Sequence, residues 1–282
     1  FNAIFSKVES ANVETVKTVE SEAVRRKVNG IVGLGGGKSV DIAKLSAYNT
    51  NLPFVSVPTS ASHDGISSPF ASIKGLNRPY SFVAKPPAGI LADIDIISEA
   101  PRRLLASGCG DLLAKLTAVS DWKLAREVKG EYFGKYASSL ALLSAEIVIA
   151  ESKSIGEGGK ESVRDVVEAL MSAGVAAGIA GSSRPCSGAE HLFSHALDLI
   201  APGIGHHGEK CGIGAILMAK LHNLDSQKIA SALRNADAPV NAGQIGLKPK
   251  DVVDALLLAP SIRPERYTIL NEMKLNEKSA LE

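Results

Sequence analysis

Four of the six histidines in this chain lie within residues 184–211, and this cluster is the stretch best equipped for chemistry. His191 and His195 are four residues apart, so a helix over residues 190–200 would place both imidazoles on one face, one turn apart. His207 then begins a second helical pattern. A metal ion or an anionic substrate held between the two segments would explain this layout. The alternative, histidines that only pack on amphipathic helices, suits a lone histidine better than a cluster.

Asp111 could complete a metal site with two of these histidines. Its carboxylate, together with His191 and His207, would give one oxygen and two nitrogen ligands, as in catalytic sites that keep an open position for substrate. Zinc and ferrous iron both suit such ligands. Asp111 also falls at the predicted start of a helix, where aspartate most often serves as an N-cap, so this structural alternative stays open. The residues after His191 are Leu-Phe-Ser, which excludes the His-Glu-x-x-His motif of zinc peptidases.

A glycine-rich segment, residues 33–41, reads Gly-Leu-Gly-Gly-Gly-Lys-Ser-Val-Asp and lies between a predicted strand and a predicted helix. Glycines let the backbone approach a diphosphate, and the helix N-terminus offers free N–H groups and the positive end of a dipole. The segment departs from the common Gly-x-Gly-x-x-Gly fingerprint, because Lys38 takes the third glycine's place, and it is not a Walker A loop. We favour a dinucleotide diphosphate as its ligand over a glycine-rich turn that binds nothing.

Two further loops carry polar side chains. The loop over residues 59–68 is dense in hydroxyls that could bond a nicotinamide ribose or a phosphate, and its Asp64 could contact substrate hydroxyls or relay a proton. Taken alone, this segment also reads as an ordinary surface loop. The loop over residues 181–188 contains Arg184, which could hold a phosphate or carboxylate, or could simply belong to a connection between helices.

Strand and helix patterns alternate over residues 1–100, which predicts an α/β N-terminal domain with a Rossmann-like parallel sheet that binds a dinucleotide. Strand signals nearly vanish after residue 100, so residues 101–282 are predicted to form an all-α C-terminal domain that binds metal and substrate. The chain opens on what looks like the middle of such an α/β domain. We therefore expect an earlier strand and helix of that domain to be absent.

Local patterns add detail to the first domain. Residues 1–6 and residues 89–97 are each predicted as a strand. Two strand-like pieces, residues 71–74 and 80–84, surround a Gly/Asn/Pro turn and predict a β-excursion.

Composition excludes several classes of function. The chain has 282 residues, a net charge of +1 and 5% aromatic residues, which argues against nucleic-acid binding and against an anionic membrane surface. No apolar run reaches the length of a membrane span, and no signal peptide is visible. The three cysteines are well separated, which predicts reduced thiols in a cytoplasmic protein.

Five blocks, in order along nearly the whole chain, resemble the sn-glycerol-1-phosphate dehydrogenases of archaea. This family lies within the superfamily of iron alcohol dehydrogenases, glycerol dehydrogenases and dehydroquinate synthases. The blocks are Gly-Gly-Gly-Lys-Ser-Val-Asp-x-Ala-Lys, Pro-Thr-Ser-Ala-Ser-x-Asp-Gly, Ser-Ser-Arg-Pro-x-Ser-Gly-x-Glu-His-Leu-Phe-Ser-His-Ala-Leu-Asp, His-Gly-Glu-x-Cys-Gly-x-Gly and Arg-Pro-Glu-Arg-Tyr-Thr-Ile-Leu. The glycine block is specific only to the superfamily, whereas the third block is specific to the narrower family.

The resemblance implies roles for individual residues. Asp111, His191 and His207 match the metal ligands. Asp64, Asp111 and His195 match substrate-contacting and catalytic positions. The positions that match cofactor-binding residues are Gly36, Gly37, Lys38, Ser39, Val40, Asp41, Thr59, Ser60, Ala61, Ser62 and Ser68.

Other residues stand outside that match. Arg184 is our candidate for the substrate's phosphate, whereas His63 and His206 match no role. The sequence departs from the family's pattern at three positions, and none of them removes a ligand. These are Cys186, Ala189 and Lys210, where Ala, Ser and Gln are expected.

The implied activity is the reversible reduction of dihydroxyacetone phosphate to sn-glycerol 1-phosphate by NADH or NADPH, assisted by one zinc ion per subunit, with ferrous iron as the less favoured metal. The product would supply the glycerophosphate backbone of archaeal membrane lipids. We expect a small-molecule substrate, no nucleic acid, no membrane span, a homo-oligomer and a cytoplasmic location. The alternatives are a glycerol dehydrogenase, a dehydroquinate synthase and a nucleotide-binding regulator without catalysis.

Overall fold

In the computed structural model, which describes residues 2–73 and 80–281, strands lie near the start of the chain and helices form the rest. We call residues 2–90 the α/β part and residues 94–281 the helical part. The elements of the α/β part are α1 Val13–Arg26, β1 Ile31–Gly35, α2 Gly37–Asn49, β2 Phe54–Pro58, a 3₁₀ turn Asp64–Ile66, β3 Phe70–Ile73, β4 Tyr80–Val83 and β5 Gly89–Ile90. The elements of the helical part are α3 Ile94–Ser98, α4 Arg102–Leu113, α5 Lys115–Lys129, α6 Lys135–Glu157, α7 Lys160–Ala180, α8 Ala189–Ile200, α9 His207–Leu221, α10 Ser226–Asn235, a 3₁₀ turn Ala242–Ile245, α11 Pro249–Ile262, α12 Ile269–Met273 and α13 Glu277–Leu281.

The parallel sheet has the strand order β1-β2-β5, with β1 and β2 in register along their full length. Val40 and Ala43 of α2 pack on this sheet around Phe54. A side chain at Gly33 of β1 would place its Cβ 2.9 Å from the Cβ of Ala43, so only glycine lets the helix lie this close to the strand. The prediction of a Rossmann-like parallel sheet followed by a helical region is confirmed.

The predicted β-excursion is present, because β3 and β4 pair antiparallel in a sheet of their own. Its turn, together with residue 74, lies outside the described residues. The strand predicted for residues 1–6 is wrong within the described residues 2–6, which are exposed and pair with none of the described strands. The strand predicted for residues 89–97 ends at Ile90, because Asp93 accepts hydrogen bonds from Asp95 N and Ile96 N and begins α3.

Two of the apolar clusters in the helical part share helix α9. One cluster fills the space among α4, α6, α7, α9 and α10, and the other lies among α8, α9 and α11. Helix α9 therefore has a fixed position between both halves of the helical part. No helix in the described part of the chain combines the length and the apolar character needed to cross a membrane.

Glycines bring α4 and α9 into backbone contact. A Cβ added at Gly110 would lie 2.2 Å from the carbonyl oxygen of Gly208, and one added at Gly208 would lie 1.8 Å from that of Ser107. Gly108 makes the same kind of close approach to Ala61 O, in the loop after β2. The helices can therefore cross only where both lack side chains.

The crossing explains one wrong expectation. Asp111 does not begin a helix, since α4 continues through Gly108 and Gly110 and ends at Leu113, which places Asp111 in its last turn. The N-cap alternative for Asp111 is thereby wrong. The two glycines predicted a break because glycine lowers helix propensity, but here contact between helices outweighs that preference.

Candidate active site

Four potential ligand side chains meet where α4, α8 and α9 converge. One ligand atom from each of Asp111, His191, His207 and Cys211 lies within 4.8 Å of the others. The rings of His191 and His207 have centroids 5.1 Å apart, and His191 Nε2 lies 3.3 Å from Asp111 Oδ1. A carboxylate and two imidazoles around one small volume fit a zinc or ferrous ion, so the predicted triad is brought together by the fold.

Cys211 was not predicted as part of this group. It lies one turn after His207 on α9, with Sγ 3.6 Å from His207 Nε2. The spacing His-x-x-x-Cys could have drawn attention to it, because residues four apart share a helix face. Three protein ligands leave the open position that a catalytic metal needs, whereas a fourth would close the site.

Glu190 orients His191. The carboxylate of Glu190 accepts a hydrogen bond from His191 Nδ1 at 2.8 Å, and is itself fixed by Thr117 Oγ1 at 2.8 Å and Gly188 N at 2.7 Å. Burial opposes the charge of Glu190, but the contacts with His191, Gly188 and Thr117 together outweigh it, so the pKa of Glu190 is lowered. With Nδ1 donating to Glu190, Nε2 is the nitrogen of His191 that can face a metal.

The two histidines of the triad differ in protonation. Burial lowers the pKa of His191, but the neighbouring Cys211, Asp111 and Glu190 together raise it well above its usual value. Burial and the charge of His191 hold the pKa of His207 well below its usual value. A metal ion that binds here must therefore displace a proton from His191, which makes metal affinity depend on pH.

Lys115 joins the α/β part to the helical part at the site. Its fully buried ammonium group lies 2.7 Å from Asp64 Oδ2, 2.9 Å from Asp111 Oδ1 and 3.3 Å from Cys186 O. Asp64 N also donates to Asp111 Oδ2 at 2.9 Å. Burial raises the pKa of Asp111, but Lys115, His191 and His207 together outweigh burial, and the net pKa is well below the usual range.

His195 borders the same group from the next turn of α8. Its ring centroid lies 5.9 Å from that of His207, and its Nδ1 lies 3.9 Å from Asp198 Oδ2. Asp198 is also paired with Lys210. Burial, together with the charge of His191, lowers the pKa of His195. A neutral imidazole in this place can donate or accept a hydrogen bond at neutral pH.

The glycine turn presents backbone groups to a ligand. Gly36 is the N-cap of α2, and the N–H groups of Ser39 and Val40 bond its carbonyl, so the free N–H groups are those at the start of the helix. Gly35 has a φ of +135°, a conformation that favours glycine. Thr59 N donates to Gly35 O at 3.0 Å, which holds the hydroxyl-rich loop beside the turn.

Several predicted cofactor positions are engaged within the protein. The side chain of Val40 lies in the core, and the two carboxylate oxygens of Asp41 bond Lys44 Nζ and Ser72 N. Ala61 packs under Gly108 of α4. The remaining predicted positions border the glycine turn or the loop beside it, and their contact with a cofactor stays a prediction. These are Gly36, Gly37, Lys38, Ser39, Thr59, Ser60, Ser62 and Ser68.

Arg184 has a structural environment. Its guanidinium donates to Glu131 and to Tyr267 O, and only 4% of its side chain is exposed. All three of its nitrogens are thus engaged by the protein. This favours the connection between helices over a phosphate clamp, so the structure does not support Arg184 as a substrate-binding residue.

Comparison with known proteins gives consistent results. Residues 2–101 match the family described as iron-containing alcohol dehydrogenase. A glycerol-1-phosphate dehydrogenase of Cenarchaeum symbiosum is 58% identical over 95% of this chain and 75% of its own length, and that of Nitrosopumilus maritimus is 54% identical over the same shares. The fold resembles a probable glycerol dehydrogenase from Sinorhizobium meliloti, with a TM-score of 0.79 at 20% identity over 97% of this chain and 80% of that one.

Proposed function

This chain belongs to the family of NAD(P)-dependent glycerol-1-phosphate dehydrogenases, and we propose that it reversibly reduces dihydroxyacetone phosphate to sn-glycerol 1-phosphate with NADH or NADPH. The observation that carries the proposal is the convergence of Asp111, His191 and His207 beside Asp64 and His195, in a chain 58% identical to one such enzyme. A regulator without catalysis would have no need of this group.

Zinc is the metal that we propose for Asp111, His191 and His207, with Cys211 outside the ligand set. When bound, zinc supplies Lewis acidity toward a ketone. Glu190 holds His191 in the tautomer that a metal ligand needs, and Lys115 fixes the carboxylate of Asp111. These contacts exist among the protein's own residues, so the site is organised before a ligand arrives.

Hydride transfer from the nicotinamide to the ketone carbon leaves an alkoxide that must gain a proton. We propose that Asp64 and His195 relay this proton from solvent water to the alkoxide, directly or through a bound water or a ribose hydroxyl. Lys115 orients Asp64 at 2.7 Å. The lowered pKa of His195 keeps its imidazole neutral, so it can donate a hydrogen bond to the substrate without carrying charge.

Because the guanidinium of Arg184 is engaged by Glu131 and Tyr267, we propose another cation for the phosphate of the substrate. We assign this role to Arg263, which follows α11 where that helix packs along α8. Its positive charge is close enough to His195 to lower the pKa of that imidazole. An arginine beside the substrate-contacting histidine suits a phosphate, because guanidinium and phosphate form paired hydrogen bonds.

The wider setting is part of the proposal. The division into domains at residue 100 would place coenzyme on the first domain and metal on the second, with substrate between them. The three free, buried cysteines are consistent with the cytoplasm, where thiols stay reduced. We propose a homo-oligomer with a small-molecule substrate, and a supply of glycerophosphate for archaeal membrane lipids as the role of the product.

The test follows oxidation of NADH and of NADPH by absorbance with zinc supplied, using dihydroxyacetone phosphate beside dihydroxyacetone. We expect a strong preference for the phosphorylated ketone and loss of turnover after treatment with a chelator. Preference for dihydroxyacetone would instead indicate a glycerol dehydrogenase and would remove Arg263 from the mechanism. No turnover of either ketone, with no metal bound, would support the regulator.

A further inference from the structure

His63 lies between the glycine turn and the candidate metal group. Its imidazole fits against two glycines: a Cβ added at Gly37 would lie 2.0 Å from Nε2, and one added at Gly65 would lie 2.4 Å from Cε1. The ring also faces His207, with centroids 6.4 Å apart at an angle of 86°. Any side chain at either glycine would expel the imidazole, so this part of the chain is built around it.

The hydrogen bonds of His63 determine its tautomer. Gly65 N donates to His63 Nδ1 at 2.9 Å, and this bond caps the 3₁₀ turn Asp64–Ile66. A nitrogen that accepts a hydrogen bond carries no proton, so in the neutral ring the proton is on Nε2. None of the described residues accepts a hydrogen bond from that Nε2. The ring therefore presents a donor toward Gly37, the first residue of α2.

We propose that His63 is a coenzyme-binding residue whose Nε2–H donates to the diphosphate of NAD(P)H at the start of α2. The backbone N–H groups at this helix end and the imidazole approach the same small volume from two sides, and both favour an anionic oxygen. The inference rests on the proposed function, since it takes a dinucleotide as the ligand. It gives a role to a histidine that the sequence left without one.

The opposing explanation is that His63 serves only as a cap for the 3₁₀ turn. Asparagine and glutamine distinguish the two roles. In His63→Asn, the side-chain oxygen can replace Nδ1 as the acceptor for Gly65 N, but no donor reaches the place of Nε2. In His63→Gln, the longer amide can place an N–H near that position. A pure capping role predicts that asparagine is the better replacement, and the proposal predicts that glutamine is.

The experiment titrates NADH into the zinc-loaded protein without substrate and follows coenzyme fluorescence. We expect His63→Ala and His63→Asn to weaken NADH binding roughly tenfold to a hundredfold, which is the effect of losing a hydrogen bond to a charged group. His63→Gln should recover part of the loss. In competition with NADH, ADP-ribose should lose affinity as NADH does, because it retains the diphosphate, whereas adenosine should be unaffected.

Controls separate this result from damage to the fold. His206→Asn changes an exposed histidine at the N-cap of α9 and should bind NADH as the wild type does. Thermal melting identifies any variant that fails to fold, and the asparagine and glutamine variants then carry the comparison. Wild-type affinity in His63→Asn, or an equal loss for adenosine and NADH, would overturn the proposal. A wrong proposed function would appear separately, as failure of the wild type to reduce dihydroxyacetone phosphate.

Discussion

The helical part and the α/β part hold their sides of the site by different means. On the helical side, charged partners hold the buried ligand side chains in place, since Asp111 contacts Lys115 and His191 contacts Glu190. On the α/β side, Gly36 leaves room for a ligand, since a Cβ added there would meet only Ser60 Oγ at 3.7 Å, and backbone N–H groups at the start of α2 can bind it. A metal stays bound through many turnovers, whereas a coenzyme must leave after each one. Rigid, charged contacts suit the first task, and a partly exposed backbone turn suits the second.

The largest effect should come from the helical side. We expect His191→Ala to lose its zinc and roughly a thousandfold of its turnover, because Lewis acid assistance is worth several kcal/mol. Coenzyme binding should survive, since it depends on the other side of the site. Metal content by mass spectrometry, turnover and NADPH titration measure the three quantities.

Cys211→Ala is the matched control for that variant, because it removes the fourth potential donor from the same group. We expect it to keep its zinc and most of its activity. Full activity without metal in His191→Ala, or loss of zinc in Cys211→Ala, would show that the ligand set is assigned wrongly.

The next largest effect should come from Lys115, which bonds both sides. Lys115→Met leaves the carboxylates of Asp64 and Asp111 without their buried cation, and the free energy of unfolding without metal should fall by roughly 3–5 kcal/mol. Zinc should stabilise the variant more than the wild type, since the metal ion replaces the lost charge beside Asp111. Thermal melting with and without zinc measures both effects.

Lys123→Met, an exposed change on the same helix, should alter the melting temperature little.

The pH dependence of stability gives a second check on the role of Lys115. Burial alone would raise the pKa of Asp111, but Lys115, His191 and His207 together lower it, so the stabilising effect of the ionised carboxylate is present above the unfolded-state pKa of about 4 and is lost as pH falls through the folded-state value. Lys115→Met should show a smaller acid-dependent loss, because the largest of the charges that lower the pKa of Asp111 is gone. Equal acid sensitivity in both proteins would contradict the role of Lys115.

The smallest effect should come from the α/β side. Lys38 is exposed beside the glycine turn, and a solvated charge contributes little to binding. We expect Lys38→Met to weaken NADH binding by about fivefold or less, clearly less than His63→Ala. A larger loss in Lys38→Met would mean that side-chain charge, and not the backbone, holds the diphosphate.

Local patterns in the sequence predicted local structure well. The strand, glycine turn and helix around residues 31–49 depend on neighbouring residues, and so does the placement of His191 and His195 on one helix face. The convergence of Asp111 with the histidines could be expected only from the resemblance to a known family. Asp111 lies far from the histidines in the sequence, and a long separation does not predict whether residues are in contact.

What the sequence did not predict depends on contacts between distant residues. Lys115 meets Asp64, and Glu190 meets Thr117, across separations that no periodicity reveals. Arg184 had the right chemistry for a phosphate, but its guanidinium group donates to the carboxylate of Glu131 instead. Gly108 and Gly110 were misread because a glycine that ends a helix and one that allows two helices to touch look identical in a sequence.

The crossing of α4 and α9 also sets a limit on what the site can tolerate. Asp111 follows Gly110 directly, and His207 precedes Gly208 directly, so the gap between the two ligands is the gap between the two backbones. One methyl group at either glycine would push the helices apart by more than the roughly half an ångström within which catalytic groups must be held. The distance between Asp111 and His207 is thus determined by Gly110 and Gly208, two residues without side chains that do not themselves bind the metal.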